Sequence, residues 1–154
     1  PGSDGYSETQ LDTVRQRLSA AIEWFAQRDM LNQVVISDGD SAAAVYASFA
    51  DNRPKAIQAL VLISATNPGT ADDGGKTRFT GIDIPLLDVV AEHDRRDIAE
   101  AAKQREAWAR EAELDYRQVA IASAYAGYRS TTDSLVTRIR AWLARRAAGS
   151  EWDL

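Results

Sequence analysis

The chain of 154 residues has no cysteine, one histidine and four prolines, and fewer Lys and Arg (18) than Asp and Glu (23). Without cysteine there can be no disulfide and no thiolate metal site, although the compartment stays open because many exported proteins also lack it. A net charge of -5 excludes a general nucleic-acid binder, which needs a concentrated basic surface to neutralise phosphates. The one basic cluster, Arg138 to Arg146, falls at helical spacing and reads as a solvated face. No apolar run approaches the roughly 20 residues that span a bilayer, and no signal peptide is visible. Pro1-Gly2-Ser3 reads as the scar of a cleaved tag, with a natural protein beginning upstream of Asp4.

What is present suffices for one core. A chain that is 45% hydrophobic can bury a single core without staples. We therefore expect one domain over residues 4–149, a tag remnant at 1–3 and a tail at 150–154. There are no internal repeats and no low-complexity segment.

Ser7-Glu8-Thr9-Gln10 fits a capping box at a helix start. Leu11, Val14, Leu18, Ala21, Ile22 and Phe25 follow at three- and four-residue steps, which predicts a core-facing helix to about Asp29. Trp24 beside the stripe is either edge packing or a ligand platform. Val34-Val35-Ile36-Ser37 reads as a buried strand and Ser41 to Asp51 as an alanine-rich helix, with Val45, Tyr46 and Phe49 its large residues. Ala59 to Ile63 is unbroken apolar, as in a strand covered on both faces. Residues 65–83, rich in Gly, Asp, Thr and Asn, read as a long loop with turns at Asn67-Pro68-Gly69 and Asp72 to Gly75. Pro85 to Ala91 predicts a third strand, and Arg96 to Ala112 a helix carrying Ile98, Ala101, Ala102, Arg105 and Trp108 on one side. Tyr116 to Ile121 predicts a fourth strand, and a last helix from about Ser130 turns Leu135, Val136, Ile139, Trp142 and Leu143 inward. Strand and helix alternate, so the fold class is α/β: a three-layer domain with a four-stranded, mainly parallel sheet and helices on both faces.

Residues 33–44 have the layout of a nucleophile elbow, a sharp strand-to-helix turn that normally reads G-x-S-x-G. Here the five positions are Ser37, Asp38, Gly39, Asp40 and Ser41. Together with Leu60 to Ser64, Ile84 to Val90 followed by Glu92-His93-Asp94, and Tyr116 to Val119 before an amphipathic helix, the chain resembles the C-terminal half of an α/β-hydrolase fold over residues 7–146. It is closest to an uncharacterised bacterial hydrolase-like family often found in exported form. The resemblance implies a triad of Ser, then Asp or Glu, then His along the chain. By it, the degenerate positions are Gly39 for the nucleophile, Asp94 for the acid and Ala126 for the histidine, in the stretch Ala124 to Gly127. The chain's histidine, His93, is expected on a loop next to Asp94. The resemblance also implies that the fold's first half, with one oxyanion donor, is not in this chain. It points to a periplasmic or envelope protein if a leader precedes the chain, and a cytoplasmic one otherwise.

Asp38 and Asp40 flank Gly39 at a helix start, where capping is the ordinary role of a carboxylate. A cation site from Asp38, Asp40 and Asp94 is the alternative, as is a displaced nucleophile, Ser37 or Ser41, served by His93. Asp72 to Lys76 lacks phosphate-loop spacing and reads as a solvated turn. Tyr125 and Tyr128 either line a binding surface or fill a vacated cleft. The binding candidates are thus Asp38, Asp40, His93, Asp94, Tyr125 and Tyr128. No cofactor and no metal is expected. The leading function is a non-catalytic domain for protein association; a residual serine esterase and a small-ligand or cation module are the alternatives. Val34, Val35 and Ile36 lie on an edge strand lacking a neighbour, so a protein partner is expected there, a two-fold homodimer first among them.

Overall fold

The computed structural model describes residues 8–67 and 73–146. The expected tag remnant and tail lie outside them, as do Ser7 of the capping box and the turn at Pro68-Gly69. The elements alternate as α1 (Glu8–Ala26), β1 (Gln33–Asp38), α2 (Ser41–Asn52), β2 (Ile57–Ile63), α3 (Asp73–Thr80), β3 (Leu86–His93), α4 (Arg96–Glu111), β4 (Tyr116–Tyr125) and α5 (Thr132–Arg146). The strands form one sheet in the order β1-β2-β3-β4, and every neighbouring pair is parallel.

The unbroken apolar run of β2 follows from its central place. Successive side chains of a strand point to opposite faces. Leu60 and Leu62 enter one cluster with Tyr46 and Phe49 of α2 and Phe79 of α3, while Ala59 and Val61 enter another with Ile139 and Trp142 of α5. Ile22 of α1 and Ala109 of α4 join the first cluster. Helices α1 to α4 therefore cover one face and α5 the other, which gives the three layers. On the α5 face Ala59 and Val61 of β2 are fully buried and Ile63 partly so, whereas on β1 Val34 is half-buried and Ile36 is 54% exposed.

Several expectations are corrected. Residues 65–83 are not all loop, because α3 forms within them. Its composition favours turns, but Phe79 is fully buried against Tyr46, Trp108 and Tyr116, with ring centroids 5.7 to 6.0 Å away. Burying one aromatic outweighs the summed propensity of a short segment. Lys76 is correspondingly no part of a solvated turn; it pairs with Glu111 at 2.7 Å. β4 continues to Tyr125, four residues past the end of the apolar alternation, and β3 includes His93, which pairs in register with Tyr125. There the Glu92 carboxylate accepts the Ser123 N–H at 2.6 Å, a bond no hydrophobic pattern announces.

α1 is less core-facing than its stripe suggested. Ile22 is buried, Val14 and Leu18 are half-buried, and Phe25 is 41% exposed. Trp24 packs edge-on to Phe25, and Arg28 lies 3.6 Å over its ring. In α5, Val136 faces solvent rather than the core, while Arg138, Arg140, Arg145 and Arg146 are exposed as expected.

Candidate functional site

The turn between β1 and α2 carries the elbow. Gly39 has φ +58°, a left-handed conformation that glycine adopts without penalty. Its N–H donates to the Ile63 carbonyl at 2.9 Å, and its own carbonyl accepts the N–H groups of Ala42 and Thr66 at 3.3 and 3.4 Å. A Cβ built at this position would meet nothing within 4 Å. The turn is therefore held by its backbone, with open space where a side chain would project.

Around it the polar groups are turned on one another. Ser41 Oγ donates to the Asp38 carbonyl at 2.8 Å, so the 2.7 Å bond between the two serines has Ser37 as donor. Both hydroxyl protons are committed, and neither serine bonds to His93. Asp40 occupies the N-cap of α2 but with helical φ and ψ of -69° and -19° and no side-chain cap bond, so the capping expected of it is not made.

Asp94 follows β3 and lies beside the end of β2. Its carboxylate accepts the Ser64 hydroxyl, the Ala91 N–H at 3.3 Å and the Arg95 N–H at 2.9 Å. Because Ser64 gives its proton to Asp94, Tyr128 is the donor in the 2.9 Å bond between Tyr128 and Ser64. Tyr128 is buried, and burial is the main cause that pushes its phenol up to about 12, with Asp94 and Asp38 adding to it. The chain Tyr128 to Ser64 to Asp94 thus fills the space beside the acid. Ala126 is exposed, so Tyr128 is the residue after β4 that reaches toward Asp94.

His93 stands apart from both groups. It ends β3 half-exposed, its ring 4.8 Å from that of Tyr125 and its Nε2 3.9 Å from Glu92. Among the described residues no group of three or more His, Asp or Glu side chains is placed to hold a metal ion, so Asp38, Asp40 and Asp94 do not assemble one.

Sequence reasoning missed the polar centre behind this site. Asp88 and Arg105 are fully buried and paired through Nε at 2.8 Å and Nη2 at 3.1 Å. Tyr116 donates to Asp88 at 2.6 Å, and Arg105 Nη1 reaches the Ala65 carbonyl at 2.8 Å and Asn67 Oδ1 at 2.9 Å. Burial opposes the charge on Arg105, but neighbouring Tyr46 and Asp88 outweigh it and its pKa is raised. The signal was available: an acid within the apolar strand run and a base on the apolar stripe of α4. Thr66, between the two residues that Arg105 holds, is the one that bonds to Gly39. Ser64 gave no such signal.

The candidate interface residues Val34, Val35 and Ile36 lie on β1, whose outer edge pairs with no strand among the described residues. A groove of about 310 Å³ runs beside them, lined by Leu18, Ile22 and Phe25 of α1, by Met30, and by Val34 and Val35. Trp24, Leu31 and Ile36 are also exposed at this side of the molecule. Among the described residues no helix is long and apolar enough to cross a membrane.

A parallel sheet between helices, with a positive-φ strand-to-helix turn after β1, is an arrangement found in the α/β-hydrolase fold. Solved structures agree. A candidate dienelactone hydrolase from Klebsiella pneumoniae matches with a TM-score of 0.72 at 14% identity over 88% of this chain and 62% of its own. SOBER1 from Arabidopsis thaliana matches with a TM-score of 0.69 at 17% identity over 91% and 66%. The esterase domain of a Rhodothermus marinus protein matches with a TM-score of 0.66 at 17% identity over 87% and 70%. At such identities the likeness is one of fold, and the chain spans less than two thirds of the first two. The chain itself belongs to the family described as Protein of unknown function (DUF3530), whose model matches residues 2–145. No curated protein sequence matches it.

Proposed function

We propose that this is a non-catalytic domain of α/β-hydrolase-like fold that acts by protein association, with a second copy of the chain seated on the outer edge of β1. The observation that carries the non-catalytic reading is the commitment of the two serine hydroxyls and of the Asp94 carboxylate near the elbow. Gly39 offers no side chain, the two serine protons are used locally, and Asp94 is occupied by Ser64 and two backbone N–H groups. A nucleophile and its base act as a unit, so losing either removes most of the rate. The apolar edge of β1, which pairs with no strand among the described residues, supports association, since exposed strand edges are templates for pairing.

The test has two arms. Fluorogenic esters of graded chain length should turn over at the buffer rate, with no sensitivity to a serine-directed inhibitor. Gly39→Ser should fold and stay at that rate, because no imidazole is placed beside the restored hydroxyl. Inhibitor-sensitive turnover by either protein would overturn the non-catalytic reading. Light scattering over a dilution series should show a dimer; a monomer throughout would overturn the association reading.

A further inference from the structure

We propose that the solvent face of α5 docks on an anionic lipid surface, its arginines gripping headgroup phosphates while the helix stays outside the bilayer. This surface is not the edge of β1, so its test is independent of the association reading. Among the described residues α5 is the one helix on its side of the sheet, and its charge is one-sided: Arg138, Arg140, Arg145 and Arg146 stand against the single Asp133. α4, of similar length on the other layer, carries four basic and four acidic residues. Side chains of that layer also neutralise one another locally, through Arg15–Asp12, Lys76–Glu111, Arg95–Asp97 and Arg96–Glu100. On α5 Arg146 is paired, with Asp115 at 3.1 Å, but among the described residues Arg138, Arg140 and Arg145 meet no carboxylate, and all three are exposed.

Ile139 and Trp142 are buried and mark the inward side of α5. At 3.6 residues per turn the opposite ridge is Thr137, Ala141 and Ala144, all exposed, with Arg138 and Arg145 on one flank and Arg140 on the other. A dry protein interface is built on large apolar and aromatic anchors, and α5 offers only Val136 beside this ridge. Small uncharged residues between arginines suit instead a planar anionic surface, which reaches both flanks at once. The planar fork of arginine matches phosphate oxygens in pairs. The apolar side of α5 is spent on the core with Val61 and Val89, so the attachment is electrostatic and needs no insertion. The net charge of -5 does not oppose it. The outer side of α5 stands a helix diameter, about 10 Å, from the sheet, and the acidic residues of α1 to α4 lie beyond the sheet. That exceeds the Debye length of about 8 Å at physiological ionic strength.

Flotation with vesicles of equal parts phosphatidylglycerol and phosphatidylcholine tests this. The protein should float with these vesicles at low salt, stay behind with phosphatidylcholine alone, and be released as salt rises. Each basic residue near an anionic surface raises partitioning about fivefold, so Arg138→Gln, Arg140→Gln and Arg145→Gln combined should weaken it roughly 100-fold. The same three positions changed to lysine should keep most of the binding, which separates loss of charge from loss of fold. Arg17→Gln, Arg78→Gln and Lys103→Gln combined, at exposed positions of α1, α3 and α4, remove as much charge and should leave binding nearly unchanged. No flotation by the parent chain, or equal weakening by the two glutamine sets, would overturn the proposal. So would a fluorescent DNA duplex that binds more tightly than the vesicles at the same salt and is lost with Arg138, Arg140 and Arg145, because it would assign the face to nucleic acid.

Discussion

At the scale of single residues, Tyr128 is the side chain that most changes the reading of the site, because it is buried where it can donate toward Asp94 through Ser64. Its phenol is raised from 10.0 to about 12, so the folded state holds that proton at pH values where the unfolded chain has lost it. The sign follows directly: this contribution to stability is complete below the unfolded pKa and is lost as pH rises through the folded one. The difference corresponds to at most about 3 kcal/mol. Tyr46 and Tyr116, also raised mainly by burial, add to the same alkaline loss. Denaturant titrations between about pH 9 and pH 12 should therefore show falling stability, with a shallower fall for Tyr128→Phe. Near neutral pH, Tyr128→Phe should cost about 1 kcal/mol for the lost hydrogen bond. An unchanged alkaline slope would place the titrating group elsewhere.

At the scale of elements, the Asp88–Arg105 pair joins β3 to α4 and also anchors the segment after β2 that touches the elbow. Arg105→Met leaves a buried carboxylate unpaired and should cost about 3–5 kcal/mol, while adding Asp88→Leu should restore much of it. The double variant would still lack the bonds to Ala65 and Asn67, so exchange of the Thr66 amide should stay faster than in the parent chain. Urea unfolding measures the first effect and hydrogen exchange the second. This pair also marks what the sequence could and could not disclose. The four strands, the two-faced burial of β2 and the elbow were legible because each rests on local periodicity, as in Leu60 to Ile63, or on a short turn at Gly39. The helix α3 was not, because it depends on Phe79 meeting three aromatic rings from other elements. The role of Tyr128 was not either, because it depends on contact with Ser64, 64 positions away in the chain.

At the scale of the whole molecule, the sheet is asymmetric: the centre of β2 is buried on both faces, whereas β1 has, among the described residues, an unpaired edge and a partly bare face. If a second copy completes this side, folding and dimerisation are linked and stability follows mass action. Each tenfold rise in protein concentration then adds about 1.4 kcal/mol per dimer, which corresponds to an increase in Tm of roughly 2–4 °C. Ile36→Lys should remove this dependence. The side chain is more than half exposed in a single copy, so the substitution leaves the fold of one chain nearly untouched. At a paired edge it would place an ammonium group, the device by which natural sheets keep edges apart. Calorimetric scans at several concentrations should show a rising Tm for the parent chain and a constant, lower one for Ile36→Lys. The control is Val136→Lys, which replaces another exposed apolar residue, on α5, and should keep the concentration dependence. Equal behaviour of the two lysine variants would mean that the edge of β1 is not where the molecule associates.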